Sequence, residues 1–512
     1  MSSRDAFLPD EVMPPEQFIP VVDWLRAAAQ TPKRLIAETP RGAVTGERFV
    51  ADVLEAIEAI RTHFPMDQAV DTLIDSGDST YDFTVLFIAT LVAGHTPVLT
   101  GSSVLDKAMR ATPERVMRLV RSRTETEAHL NLEMPTLAAT CVIPATDPTA
   151  PVTLPPLSAI PTLSATAKLV LYTSGSSGTP KRIEKTLQQM RAEMDTWESD
   201  RFQTRWDVDD YDGAYVAMTV DPHHLYGLTF GVFYALSGAM VMVDERLRYE
   251  EQCVALGERL GRTNKRWVLV TTPTFMERLS MPMTYPPISG MSAGGVLTER
   301  AWEHWCRFVG VPLDEIYGST ETGVVGHRYH RFEDRVAVAE HPWRITTLAS
   351  ITLETEEGDT RARLRSPILP ADEALAGRLL DDRLTLVDER SFRLLGRADR
   401  IVKVGEERIS LADVEAALKT TLGLTAYCCR VRRAGRDQIG AVVVRAASPT
   451  YDARAHRAYR AALRGVLAPL AIPRLWRSVD ELPINARGKV DRVACEALFR
   501  EVPDARGERN DE

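Results

Sequence analysis

Apolar and polar positions change period several times along the chain. Positions 15–64 read as helices, with an amphipathic stretch over 50–63. Between 71 and 100 the pattern predicts strand, helix, strand, which is the order of a parallel unit. The same rhythm returns further on. Strands are predicted at 214–220, 240–243, 266–271 and 313–317, interleaved with helices at 225–236, 249–260, 274–279 and 298–308. Helices alternating with short Val, Ile and Leu strands predict an α/β fold of mostly parallel sheets covered on both faces. In such sheets ligands collect beyond the carboxyl ends of the strands. The apolar stretch 226–243 reads as a buried helix followed by a strand rather than a membrane span, because glycines, a serine and a change of period interrupt it. Positions 134–163, rich in Pro, Thr and Ala, read as a connecting segment on the surface.

From 344 to 395 the pattern turns to short alternating strands, including 345–347, 361–365 and 392–395, which predicts a small β-rich subdomain. After Arg397 a compact mixed segment follows: strand 401–404, helix 411–418, strands 426–431 and 440–445, helix 453–467, then a tail. The expected division is a large N-terminal α/β domain of stacked sheets over 1–397 and a small α+β C-terminal domain over 398–512.

Composition narrows the class. A chain of 512 residues exceeds one ordinary core, and 44% hydrophobic with 26% charged residues is ordinary for a soluble globular protein. The net charge of −9 gives no reason to expect nucleic-acid binding. Six scattered cysteines form no Cys-x-x-Cys pair, and 1–18 carries acids and prolines where a signal peptide is apolar. A cytoplasmic protein with reduced thiols and no integral membrane segment is the expectation.

Candidate chemistry is concentrated where the apolar run 169–172 stops and Tyr172-Thr173-Ser174-Gly175-Ser176-Ser177-Gly178-Thr179-Pro180-Lys181 begins. Gly175 and Gly178 can take backbone angles closed to other residues, so successive amides can turn toward one anion while hydroxyls and Lys181 add donors and charge. A Gly/Ser linker is the alternative reading. A linker, however, has no need to sit on an apolar strand or to end in Pro-Lys before the helix-like segment 186–197. The Gly-x-x-x-x-Gly-Lys-[Ser/Thr] pattern is absent. His327 and His330 have metal-like spacing but no Cys or acid pattern beside them, and read as surface histidines.

The stretch 172–181 resembles the phosphate-loop signature of the adenylate-forming superfamily, which comprises acyl-CoA synthetases, non-ribosomal peptide adenylation domains and beetle luciferases. Tyr317-Gly318-Ser319-Thr320-Glu321-Thr322 resembles the second signature of that family, and the likeness runs from about Phe18 to Leu498. The resemblance implies activation of a carboxylic acid by ATP and Mg²⁺ to acyl-AMP, then transfer to the thiol of CoA or of a carrier-protein phosphopantetheine. Thr173 to Thr179 and Lys181 are the implied phosphate grip, and Glu321 the implied Mg²⁺ ligand. Thr320 donates to the α-phosphate, and Tyr317, Gly318, Ser319, Gly294, Gly295 and Val296 lie about the adenine. Asp382 takes the ribose hydroxyls, and Arg397 takes ribose or phosphate. Lys489 bridges the attacking carboxylate and the nucleotide. Asp399 is the implied pivot of a mobile C-terminal domain, and Lys403 serves the second half-reaction. His224, Tyr226, Ala293, Gly294 and Gly295 line the implied acyl pocket.

Departures from the family pattern carry information too. Amino-acid-activating relatives place a carboxylate just after the position of His224, and here Leu225 and Tyr226 stand there. An amine-free acid, aryl or of medium length, is implied. Leu380-Asp381 replaces the usual Thr-Gly before Asp382, and Gly405 comes one place early after Lys403. Arginines 430, 432, 433, 436, 445, 454, 457, 460 and 464 make the C-terminal region locally basic, either as a solvated face or as a surface that steers CoA or an acidic acyl carrier protein. Other readings are an acid–carrier protein ligase that does not use CoA, a catalytically idle nucleotide-binding scaffold, and an adenylating oxygenase.

Overall fold

The computed structural model describes residues 19–64, 69–99, 116–122, 139–174, 180–204, 211–332, 338–347, 349–356, 359–397, 400–404, 407–433, 436–444, 453–464, 466–484 and 490–499. The chain divides into two units. One comprises Met1–Thr352, Arg363–Arg378 and Leu386–Arg393, and the other Leu353–Ala362, Leu379–Thr385 and Leu394–Glu512.

The first unit opens with α1 (Trp24–Gln30), a hairpin of β1 (Leu35–Thr39) and β2 (Gly42–Thr45), and α2 (Gly46–His63). The hairpin corrects the all-helical reading of 15–64. Gly42, at φ +135°, makes the turn, and Ile36 and Ala37 bury in the sheet. Thr45 caps α2 by accepting the Arg48 N–H, and Phe49, Val50, Val53, Ala56, Ile57 and Ile60 recur at helical spacing on its buried face.

A six-stranded sheet follows, built from β3 (Asp71–Asp75), β4 (Thr96–Leu99), β5 (Val116–Ser122), β6 (Ala139–Pro144), β7 (Lys168–Ser174) and β8 (Pro180–Thr186) in the order β6-β5-β3-β4-β7-β8. All neighbours are parallel except β7 and β8. β6 shows that 134–163 is not wholly a surface connection: Cys141 and Ile143 are buried in the sheet.

The second sheet contains β9 (Tyr215–Met218), β10 (Val241–Val243), β11 (Trp267–Thr271), β12 (Ser289–Ser292), β13 (Leu313–Ser319), β14 (Gly323–His330) and β15 (Trp343–Ile345). Their order is β15-β14-β13-β12-β11-β9-β10-β1-β2. From β1 to β13 the neighbours are parallel, so the segments after β9, β11, β12 and β13 leave the sheet at one edge. β14 folds back antiparallel on β13.

The helix α3 (Thr80–Val92) is buried on all sides, as its largely apolar sequence favours, and packs against β3 and β4 of one sheet and β10 of the other. Asp244, at the end of β10, fixes its first turn by accepting from Ser79 Oγ at 2.6 Å and Tyr81 N–H at 2.8 Å. The helix α4 (Leu187–Thr204) follows β8 directly. The apolar stretch near 230 is a helix of three parts, Leu225–Gly227, a π-helical Leu228–Phe233 and Tyr234–Ser237. Among the described residues no helix is long and apolar enough to cross a membrane.

In the second unit the strands Ala426–Arg433, Arg436–Val444 and Leu475–Val479 form a sheet, and Leu411–Leu422 and Ala453–Leu463 are helical. Leu418, Cys428, Ala441, Val443, Leu463 and Trp476 share its core. The last strand and the helix Arg492–Ala497, which buries Cys495 against Tyr427, Cys429 and Val442, replace the predicted tail. All six cysteines are free thiols. The α/β class read from the alternation holds.

Candidate active site

The described ends of the glycine- and hydroxyl-rich stretch belong to two antiparallel strands, and the second of these, β8, stands before the helix where the sequence predicted none: Tyr172 pairs with Arg182, Thr173 with Lys181 and Ser174 with Pro180. Gly175, Ser176, Ser177, Gly178 and Thr179 lie outside the described residues. Thr173 and Ser174 end β7, and the exposed Lys181 stands near the start of β8.

The second motif forms the connection from β13 to β14. A bulge falls between Tyr317 and Gly318. A Cβ on Gly318 would lie 2.2 Å from the Gly323 carbonyl oxygen, so only glycine fits there. Ser319 and Thr322 close the turn: the Ser319 N–H donates to Thr322 Oγ1 at 3.0 Å, and the Thr322 N–H donates to Ser319 Oγ at 3.2 Å. Thr320 and Glu321 stand half-buried at its tip. The Tyr317 ring rests against Trp343 and Phe392, with centroids 5.6 and 5.7 Å away.

The strand and helix that follow the first motif hold the turn of the second. Lys185, on β8, is 2% exposed, and its ammonium donates to the carbonyl oxygen of Glu321 at 3.5 Å. Glu193, on α4, accepts the Val324 N–H at 2.9 Å. Neither residue stood out in the sequence. No local signal marked them: Ile183 is the one apolar side chain of β8 besides Pro180, and the pairing with β7 is what sets Lys185 on the same buried face as Ile183. Burial lowers the Lys185 pKa against the opposing pull of Glu193 and Glu321, and burial raises that of Glu193.

After β9, Asp221 holds the loop that leads to His224. His223 Nδ1 and N–H meet Asp221 Oδ1 at 2.8 and 2.9 Å, and Arg246 donates to Asp221 Oδ2 at 2.9 Å. His224 is the N-cap residue of the helical segment that follows, its carbonyl accepting the Leu228 N–H at 2.9 Å. The Tyr226 ring lies 5.5 Å from that of Phe230, and burial lifts its phenol pKa well above the ordinary value. After β12, Ala293 is buried, Gly294 takes φ +80°, and Val296 is 79% exposed.

More than half the chain, residues 77–353, matches the family described as AMP-binding enzyme. The chain belongs to this family. One relative, the 4-coumarate–CoA ligase of Rhodobacter capsulatus, is 27% identical over 328 residues, 64% of this chain and 75% of that protein. Another, the phenyloxazoline synthase MbtB of Mycobacterium sp. strain MCS, is 28% identical over 359 residues; the match spans 64% of this chain and 30% of that protein. Among solved structures, O-succinylbenzoate coenzyme A synthetase (MenE) of Bacillus subtilis, in complex with ATP and magnesium ion, has the same fold, with TM-score 0.71 and 17% identity over 94% of this chain and 99% of that one.

The remaining implied site residues of this AMP-binding enzyme lie in the second unit or outside the described residues. Asp382 begins the strand Asp382–Asp388, and Arg397 ends Ser391–Arg397. Lys403 lies on Ile401–Val404, paired in register with Arg408. Asp399 and Lys489 lie outside the described residues. His327 and His330 are buried, not on the surface: β14 carries both into the interior, where His330 Nε2 meets Glu315 Oε2 at 2.9 Å. Among the described residues no three His, Cys, Asp or Glu side chains gather as a metal cage. A half-buried carboxylate such as that of Glu321 is a hard oxygen donor of the kind that suits Mg²⁺, which keeps waters and is held by one or two carboxylates plus phosphate oxygens.

Proposed function

We propose that the protein is an AMP-forming acid–thiol ligase. A carboxylate oxygen attacks the α-phosphorus of ATP, the bond to the bridging oxygen of the β-phosphate breaks, and acyl-AMP and pyrophosphate form. A thiol then attacks the acyl carbon, loses its proton, and AMP leaves. The observation that carries this reading is the tie between the hairpin bearing the phosphate-loop sequence and the turn bearing Glu321, made by Lys185 and Glu193. Family membership supports it, as do the names of the relatives, one a 4-coumarate–CoA ligase and the other a phenyloxazoline synthase.

In this reading the 173–179 loop and Lys181 grip the β- and γ-phosphates, and Thr320 donates to the α-phosphate. Glu321 would hold Mg²⁺, which would supply positive charge against the phosphate oxygens. Tyr317, Gly318, Ser319, Gly294, Gly295 and Val296 hold the adenine, and Asp382 and Arg397 hold the ribose. Lys489 stabilises the charge that grows at the α-phosphorus, and Lys403 belongs to the thiol step, with Asp399 as hinge between a 1–397 domain and a 398–512 domain. Most of the acceleration comes from position and fixed charge.

His224, Tyr226, Ala293, Gly294 and Gly295 wall the acid site. A neutral phenol and an apolar Leu225 leave no partner for an ammonium there, which favours an amine-free aryl or medium-length acid. Arg430, Arg432, Arg433, Arg457, Arg460 and Arg464 are exposed in the second unit and favour an anionic acceptor, either CoA or the phosphopantetheine of an acidic carrier protein. ATP–pyrophosphate exchange over a panel of aryl and aliphatic acids tests the reading. Exchange with at least one acid, abolished in Lys489→Ala, is the expected result; undiminished exchange in that variant overturns it.

A further inference from the structure

Lys185 occupies a position that the strand pattern reserves for an apolar side chain. It faces inward with Ile183, stands opposite Leu169 in the β7–β8 register, and is 2% exposed. An ammonium is held in such surroundings only when it is paired and hydrogen-bonded. Its hydrogen-bond acceptor is the main-chain oxygen of Glu321, and the charges that offset its burial belong to Glu193 and Glu321. Glu193, also 2% exposed, accepts the main-chain N–H of Val324 at 2.9 Å. Consecutive elements thus supply two buried charged side chains that take hold of the β13–β14 connection at residues 321 and 324. Between those holds the Cβ-free Gly323, at φ +67°, has no room for a side chain: an added Cβ would meet Ile368 at 2.7 Å.

We propose that Lys185, acting with Glu193, is a positioning residue that locks the Glu321 turn to the hairpin carrying the phosphate loop, so that the Glu321 carboxylate is presented to a metal ion on the nucleotide phosphates. The proposal rests on the function proposed above. Lys185→Met keeps the apolar stem and loses the hold on the carbonyl together with the positive charge beside Glu193. Lys185→Arg restores a donor.

Calorimetric binding of ATP to the full chain, with and without Mg²⁺, reads the effect without relying on turnover. Losing one hydrogen bond of this kind changes an equilibrium by about fivefold. Lys185→Met is therefore expected to bind metal-free ATP as wild type does, to lose about that factor from the affinity gained on adding Mg²⁺, and to regain most of it as Lys185→Arg. A purely structural role would shift the melting temperature and leave the Mg²⁺ gain intact, and that result overturns the proposal. Should Lys185→Met not fold, Glu193→Gln carries the same titration: a reduced Mg²⁺ gain with melting close to wild type supports the proposal, and an unchanged gain overturns it. A wild type that binds Mg·ATP with a gain lost in Lys185→Met, yet exchanges pyrophosphate with no acid, defeats the proposed function and leaves this inference standing. A wild type that binds no nucleotide defeats both.

Discussion

Asp221 accepts two hydrogen bonds from His223, from the backbone N–H at 2.9 Å and from ring Nδ1 at 2.8 Å, while Nε2 of the same ring lies 2.9 Å from the Ile74 carbonyl oxygen. Both ring nitrogens therefore face acceptors, and only the imidazolium donates from both. Burial alone would lower the His223 pKa, but the hydrogen bond and charge of Asp221 outweigh it and raise it. A raised folded pKa adds stability that is fully present below the ordinary value of 6.5 and is lost as pH rises through the folded pKa. His223→Gln is expected to cost about 1–3 kcal/mol at mildly acid pH. Urea denaturation at a series of pH values checks it: the gap from wild type shrinks as pH rises above neutrality.

A second buried pair sets opposite slopes. His327 Nε2 lies 3.9 Å from Asp200 Oδ2. Burial, joined by the Arg344 charge, pushes His327 down to about 4, and burial pushes Asp200 up to about 6 against the Thr347 N–H that donates to it. Between about 4 and 6.5 the unfolded chain binds a proton at His327 that the folded chain refuses, so stability rises with pH. Between 3.8 and about 6 the folded chain keeps a proton on Asp200 that the unfolded chain has released, so stability falls with pH. The two slopes oppose each other in wild type. His327→Gln removes the rising one, and its stability is expected to fall with pH across that window more steeply than that of wild type in parallel urea melts.

The strands β9, β11 and β13 were legible because their Val, Ile and Leu runs are bounded by polar residues, and a fully buried parallel strand needs no more. β8 was not. Six of its residues, Pro180, Lys181, Arg182, Glu184, Lys185 and Thr186, are polar or proline, and only the pairing with β7 makes Lys185 an interior residue. β14 hid for a related reason. Its His327, Arg328 and His330 look like surface residues until Asp200, Glu315 and Trp343 are folded against them. At the site, the Ser319–Thr322 turn announced itself as a motif, whereas the grip of Lys185 and Glu193 joins positions more than a hundred residues apart and leaves no local pattern.

Asp52 is the hub of a buried charge network in the first unit. It receives Arg121 Nη2 at 2.8 Å, Arg48 Nε at 2.7 Å and the Tyr81 hydroxyl at 2.7 Å, and its side chain and that of Arg121 are 3% and 1% exposed. Removing one partner of a buried pair leaves the other charge without compensation, at a cost of about 3–5 kcal/mol. Asp52→Ala is expected to lose that much in chemical denaturation, and Arg121→Met in the Asp52→Ala background is expected to recover part of it. A loss well under 1 kcal/mol would show that water reaches the arginines.

Two glycines separate strain from collision. Gly213 takes φ +67° with nothing within 4 Å of an added Cβ, so Gly213→Ala meets backbone strain alone, about 1 kcal/mol. Gly318 is the reverse: its constraint is steric, because a Cβ would meet the Gly323 carbonyl oxygen at 2.2 Å and Val324 Cα at 3.1 Å. Those contacts are main chain and cannot rotate away, so Gly318→Ala must pry β14 from β13 beside the bulge. Urea denaturation should give Gly318→Ala the larger loss, about 3 kcal/mol or more. The same displacement moves Glu321, so Gly318→Ala should also lose the Mg²⁺-dependent part of ATP affinity while Gly213→Ala keeps it. Equal losses in the two variants would mean that the turn yields freely, and a turn that yields freely could not hold a carboxylate in place for a metal.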